Sequence, residues 1–313
     1  MRVFVAGASG AIGRPLVRQL LAAGHEVTGM TRREERAGEI RAAGASAVVC
    51  DAFDAEALRA AVAEATPEVV VHMLTAIPAR LSTRSESSLA PTTRLRREGT
   101  ANLLAAAEEA GARRLIAESV GFLYAPEGDR VKDEEAPLWT GAPSPFGAAV
   151  AGVEDLERQV TGSGRIEGLV LRCGQLYGPG TYLGSGGSQA EDVSKRRLPV
   201  VGAGGGIFSF VHVEDVASAT VAAVERGAPG IYNVVDDEPA PMSEWLPAFA
   251  TAIGAKPPRR VPAWLARLVA GAGGATFVTE LRGASNAKAK RELGWQPRYA
   301  SWRQGFADAE ARG

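Results

Sequence analysis

Apolar residues recur along this chain in two rhythms. Short runs rich in β-branched residues read as strands: RVFVA (2–6), HEVTGMT (25–31), SAVVCD (46–51), EVVVHML (68–74), RRLIAES (113–119) and IEGLVLRC (166–173). Between them the apolar positions fall at helical spacing. Over residues 11–24, Ile12, Leu16, Leu20 and Leu21 share one face and Gly24 marks the stop. The same reasoning predicts helices over EERAGEIRAAG (34–44), from Asp54 to about Ala65, from about Leu89 to Ala110, and from Gly147 to about Thr161. The unbroken apolar run of the fourth strand suits a strand covered on both faces.

Strands alternating with helices across short turns predict an α/β fold with a doubly wound parallel sheet, because parallel neighbours need crossover helices. The alternation breaks at Gly178. Residues 178–206 are glycine-rich, a helix and a strand return near 216–236, and prolines then punctuate the chain at 239, 241, 247, 257, 258 and 262. The expected organisation is a Rossmann domain of residues 1–178 with 207–236, and a smaller C-terminal substrate lobe of 179–206 with 237–313.

Composition narrows the function. The chain of 313 residues is 46% hydrophobic and 23% charged, which excludes a disordered chain. A net charge of -1 argues against general nucleic-acid binding. Two cysteines, Cys50 and Cys173, exclude a disulfide scaffold, and His25, His72 and His212 show no metal-ligand spacing. The N-terminus has no signal-peptide core, and no apolar stretch is long enough for a membrane span. The expectation is a cytoplasmic protein with a small-molecule substrate, no metal, no nucleic acid and no membrane partner; a homodimer is left open.

The densest chemistry lies in Gly7-Ala8-Ser9-Gly10-Ala11-Ile12-Gly13, which follows the first strand and opens the first helix. Glycines at this spacing permit a tight turn and close backbone approach, and the helix N-terminus offers free N–H groups to a pyrophosphate. The second strand ends Thr31-Arg32-Arg33, without the acid that holds the ribose hydroxyls of NAD. Two arginines there suit the 2′-phosphate of NADP, so NADP is favoured, with NAD as the alternative.

With these residues in view, the chain resembles an extended short-chain dehydrogenase/reductase of the NAD-dependent epimerase/dehydratase type. The resemblance spans nearly the whole length. It rests on the glycine motif; Asp51-Ala52-Phe53-Asp54 after the third strand; His72 in the fourth; Glu98-Gly99-Thr100-Ala101-Asn102-Leu103-Leu104; Leu171-Arg172; Tyr177-Gly178-Pro179-Gly180; Phe210-Val211-His212 with Asp215; Tyr232-Asn233-Val234; and Leu293-Gly294-Trp295. It implies cofactor contacts from Gly7, Ser9, Gly10, Ala11, Ile12, Gly13, Arg32, Arg33, Asp51, Ala52 and Phe53, and from the turn Leu74, Thr75 and Ala76.

The family's catalytic set is where the sequence departs. The Tyr and Lys of its Y-x-x-x-K motif fall on Phe146 and Val150, its Ser or Thr on Val120 beside Ser119, and its Asn on Arg96. Neither Phe146 nor Val150 transfers a proton. If a carbonyl is reduced, the expected replacement donor is Tyr124, with Ser119 and Arg96 orienting or stabilising the oxygen. Phe208 stands where nucleotide-sugar enzymes carry an Arg for the diphosphate, so an apolar pocket with Phe122, Leu123 and Trp139 is expected. Arg80, Arg84, Arg94, Arg96 and Arg97 either clamp a carboxylate or form a solvated face. The functional reading is an NADP(H)-dependent oxidoreductase with a non-standard site, acting on a small or medium apolar carbonyl or hydroxyl compound. The alternatives are a non-catalytic NADP-binding redox sensor, or a cofactor-retaining epimerase, dehydratase or cyclase.

Overall fold

The structure is a computed structural model that describes residues 1–82 and 85–311. Seven strands form its central sheet: β1 (Arg2–Ala6), β2 (Glu26–Thr31), β3 (Ser46–Val49), β4 (Val69–His72), β5 (Arg114–Val120), β6 (Glu167–Cys173) and β7 (Gly230–Val234). Their order is β7-β6-β5-β4-β1-β2-β3, and each neighbouring pair is parallel. The order reverses between β1 and β4, so a crevice opens where the chain leaves β1 and β4 in opposite directions. Ligands of doubly wound sheets bind at this place.

Helices cover both faces. On one lie α1 (Gly13–Ala22), α2 (Glu34–Ala42), α8 (Val213–Glu225) and α11 (Ala287–Leu293). On the other lie α3 (Ala55–Ala65), α5 (Thr100–Glu109) and α6 (Gly147–Gly162). Alternate residues of each strand feed the two cores: Val3 and Val5 face α1, whereas Phe4 and Ala6 face α3 and α5. Val69 and Val71 point one way and Val70 the other, which is why β4 reads as a continuous apolar run.

A third apolar cluster joins the C-terminal segments to the sheet. Phe146, Val150 and Val153 of the α6 region meet Phe208, Phe210, Trp245, Phe249, Phe277, Trp302 and Phe306. These come partly from α9 (Met242–Ala252), α10 (Ala263–Glu280) and α12 (Trp302–Ala311). The prolines that make this region look irregular fall before α9 or between α9 and α10, with one exception, Pro247 inside α9. The short helix α7 (Ser188–Ser194) lies in the preceding glycine-rich stretch.

The helix expected from about Leu89 to Ala110 is interrupted. It consists of α4 (Ala90–Arg94), a π-helical turn (Leu95–Gly99) and α5. An extra residue per turn rotates the side chains of the segment, and Arg96 lies within it. Among the described residues, no helix is long and apolar enough to cross a membrane.

Candidate active site

The glycine turn is built to the tolerance of a backbone. Gly7 has φ +93°, and a Cβ there would lie 2.6 Å from the Met73 carbonyl oxygen at the end of β4. A Cβ on Gly13 would lie 2.2 Å from the Gly7 carbonyl oxygen. Glycine alone lets the turn close against both β4 and the start of α1. Gly10 donates to the Gly7 carbonyl at 3.0 Å, while the Ala11 and Ile12 amides at the mouth of α1 donate to no backbone carbonyl among the described residues. These amides and the helix dipole suit a pyrophosphate. Gly180, with φ +81°, comes over this turn close enough for a Cβ to lie 3.4 Å from that of Ala11, so the loop after β6 roofs the crevice.

The adenosine end is equally ordered. The Ser9 and Thr31 hydroxyls are 3.2 Å apart, tying the glycine turn to the end of β2. Arg32 and Arg33 follow on the exposed rim, and neither meets an acid among the described residues. Asp51 is exposed and accepts the Phe53 amide at 3.0 Å, while buried Ala52 gives its carbonyl to Asn102 at 2.9 Å. The Arg94 guanidinium stacks 3.9 Å over the Phe53 ring. After β4, Leu74 donates to His72 Nδ1 at 3.1 Å and Ala76 to the Thr92 hydroxyl at 3.1 Å, leaving Thr75 exposed between them. The shape and donor set thus fit a dinucleotide. Asn102, met in the sequence as part of a helix motif, braces the adenine loop.

Tyr124 and Ser119 lie in the interior and are bonded to other side chains. Tyr124 is 1% exposed, and its hydroxyl donates to Asn233 Oδ1 at 2.6 Å and accepts from Arg172 Nη1 at 3.0 Å. Burial raises its pKa. Ser119 is fully buried and donates to Glu157 Oε1 at 2.8 Å. Both belong to a closed network around the Arg172–Glu157 ion pair, which joins β5, β6, β7 and α6. The Tyr124 hydroxyl is paired inside the fold with Asn233 and Arg172. Tyr124→Phe should therefore lower stability by about 1–3 kcal/mol, the cost of leaving buried partners unsatisfied, while turnover per folded molecule stays within about twofold. A loss of turnover by about 10²-fold in a folded variant would restore Tyr124 as the donor.

Arg96 stands apart from the other arginines. Arg80 pairs with Glu191 and Asp192, Arg94 with Glu98, and Arg97 with Asp155, so these three form a solvated face. Arg84 lies outside the described residues. Arg96 is 7% exposed, and its Nε is buried with no hydrogen-bond partner among the described residues. Burial pulls its pKa below the usual range, against the attraction of Glu118 and Glu157, yet it forms an ion pair with neither. Its charge also helps burial hold the His72 ring neutral, with a pKa lowered to about 4. The His72 Nε2 meets the Thr100 hydroxyl at 3.0 Å, a structural role.

Glu118, next to Ser119 in sequence, faces the opposite side of the strand, as alternation along a strand predicts. Ile116 belongs to the α1-side core, so Glu118, two residues along β5, points to that face while Ser119 points to α6. It is half-buried, and burial pushes its carboxyl up to about 7 against the pull of Arg96. An acid in the apolar run of a central strand was the available signal.

The positions expected for the Tyr and Lys pair are apolar and packed. Phe146 and Val150 are buried, and the Phe146 ring stacks on Phe277 with centroids 4.0 Å apart and planes 15° apart. Trp139 extends the stack, 6.1 Å from Phe277. Phe208 is buried against Phe210 and Trp245.

Comparison with known proteins agrees with this geometry. Residues 3–234 match the model of the NAD dependent epimerase/dehydratase family. The chain is 49% identical over 307 residues to the 3-diazoavenalumate denitrifying reductase of a Streptomyces species, covering 98% of this chain and 99% of the relative. Its fold superposes on the UDP-glucose 4-epimerase of Thermotoga maritima with a TM-score of 0.76 at 21% identity, covering 100% and 99% of the two chains. The UDP-glucose 4-epimerase of Thermus thermophilus, solved in complex with NAD, gives a TM-score of 0.73 at 26% identity over 98% and 97%. A glycine turn shaped for a dinucleotide, a doubly wound parallel sheet and a family match over most of that sheet converge: this chain belongs to the NAD dependent epimerase/dehydratase family.

Proposed function

We propose that this protein is a nicotinamide-dependent reductase that removes a diazo group from an aromatic acid as dinitrogen. The observation that carries the reading is the pairing of an intact cofactor crevice with an apolar wall, Phe146 and Val150, where the family's proton-transferring pair stands. Reduction of a ketone leaves an alkoxide that needs a proton or strong hydrogen bonds. An aryl diazonium is already cationic and accepts hydride without prior protonation. The end-to-end similarity to a reductase named for a diazo compound supports the same chemistry.

When bound, the reduced cofactor supplies one hydride. The chain's own residues supply the rest. Ala11 and Ile12 amides hold the pyrophosphate, and Gly180 closes over it. The Phe146, Phe277 and Trp139 stack presents a flat apolar surface to an aromatic ring and excludes water. Arg96, whose buried Nε has no partner among the described residues, pairs with an anionic group of the substrate. An aryl diazonium and hydride thereby yield the arene and dinitrogen. Phe208 in place of the diphosphate-binding Arg argues against nucleotide-sugar epimerisation, and the sensor reading has no observation of comparable weight.

The test is to supply NADPH and a carboxylated benzenediazonium. Nitrogen release matched one-to-one with NADPH oxidation is expected. Reduction of ketones or sugars without nitrogen release would overturn the reading.

The cofactor preference is part of this proposal. Arg32 and Arg33 lie on the rim beside Ser9 with no acid engaging them among the described residues. A charge-assisted contact to a 2′-phosphate contributes about 1.5–3 kcal/mol, so NADPH should bind at least about tenfold more tightly than NADH. Calorimetric titration with both checks this, and equal affinities would reject it.

A further inference from the structure

We propose that Glu118 is a catalytic residue that relays a proton in this cleft, while Arg96 holds the substrate's anionic group beside it; the proposal rests on the diazo-reducing reading above. The buried acids elsewhere each accept at least one hydrogen bond from the chain, although Asp236 keeps one oxygen, Oδ2, without a partner among the described residues. Glu157 accepts from Arg172 and Ser119, Glu134 from the Asn233 amide, Asp215 from the Arg298 and Tyr299 amides, and Asp236 from the Glu238 amide. Glu118 makes no hydrogen bond or ion pair among the described residues, although it occupies a central strand. Its carboxylate is half-buried, so it lies in the fold without being sealed inside it.

Arg96 keeps a buried Nε without a partner among the described residues, where buried polar groups are ordinarily satisfied, and it attracts Glu118 without closing to an ion pair. Arg172 and Glu157 lie on the α6 face and close to 2.7 Å, whereas Glu118 points to the α1 side and Arg96 comes from the helical segment over the other face. Two opposite charges left unbonded at the carboxyl end of β5 stand where ligands of such sheets bind. Their neighbours are few: Cys173 on β6, whose thiol burial and Glu118 together push up, and His72 on β4, kept neutral. None of these supplies a proton near neutrality. Glu118, poised at about 7, does.

The step balances. Hydride addition to an aryl diazonium gives an aryl diazene, Ar–N=N–H. Its N–H proton passes to the Glu118 carboxylate, and the N–H electron pair becomes the third bond of dinitrogen. The C–N bond breaks with its electron pair left on the ring carbon, and Glu118 returns the proton to that carbon. The carboxylate ends as it began, and nothing further is oxidised or reduced.

The test compares Glu118→Gln and Glu118→Asp with wild type in two assays. In the first, nitrogen release from a carboxylated benzenediazonium with NADPH is followed against pH. Wild type should show an ionisation at about 7. Glu118→Gln should lose it and fall by about 10²–10⁴-fold, and Glu118→Asp should recover part of the rate. In the second, thermal stability of the protein alone is followed against pH. A carboxyl raised from 4.5 to about 7 in the fold holds a proton there that the unfolded chain has released. It therefore makes stability fall as pH rises through that window, and Glu118→Gln should remove this component. If wild type releases nitrogen and a folded Glu118→Gln does so within about threefold with the same pH profile, Glu118 is not the relay and the diazo reading survives. If wild type releases no nitrogen, both fall together.

Discussion

Arg172→Ala should cost about 3–5 kcal/mol of folding stability, the penalty for stranding a buried charge. Arg172 binds Glu157 in two parallel bonds, Nε to Oε1 at 2.9 Å and Nη2 to Oε2 at 2.7 Å, and both side chains are buried. Without the guanidinium, the Glu157 carboxylate keeps only the Ser119 hydroxyl as a donor among the described residues. The Tyr124 hydroxyl and the Glu134 carbonyl lose a donor at the same time. A chain of this kind has a net stability of about 5–15 kcal/mol, so a large share disappears, and the melting temperature should drop by on the order of 10 °C. The double variant Arg172→Met/Glu157→Leu should recover part of the loss, because it removes the stranded Glu157 charge, while Ser119, Tyr124 and the Glu134 carbonyl stay short of a partner. Urea unfolding of the three proteins checks this. A single variant within about 1 kcal/mol of wild type would show that the network contributes little.

That network also marks the limit of the sequence. Strands and helices were legible because both faces of the sheet are covered: Val69 to Val71 read as a buried strand, and Leu16 and Leu20 as one helical stripe, for the same reason that they pack as they do. The glycine turn was legible because Gly7 and Gly13 have no alternative at their backbone distances. Partnership between side chains far apart in sequence was not. Tyr124 is a plausible proton donor by type and by place after β5, yet its hydroxyl is claimed by Asn233, 109 residues away. Nothing in local spacing shows that bond. The π-helical turn was invisible too, since an apolar period cannot register one added residue, and it is this turn that carries Arg96. The opposite holds for Glu118: its strand position was visible, and its lack of partners emerged only with the packing around it.

Arg96→Met should separate stability from function in opposite directions. In the chain alone the Arg96 guanidinium is buried, and its Nε has no acceptor. A buried group held in this way costs about 1–3 kcal/mol, more when charged. Methionine keeps most of the unbranched stem and removes the charge, so the variant should melt higher than wild type in the absence of ligands. With substrate the sign reverses. A guanidinium facing a carboxylate makes two charge-assisted bonds in one plane, so their loss should lower kcat/KM by about 10²-fold or more, with NADPH affinity unchanged. Arg96→Lys keeps the charge and loses the planar fork, and should fall between the two. A structural Arg96 predicts the contrary pattern: a lower melting temperature for Arg96→Met and near-normal kcat/KM in the folded fraction. Raised stability together with lost activity is the mark of a residue held in a costly state for its ligand, because marginally stable chains keep such a charge only where a bound partner offsets it.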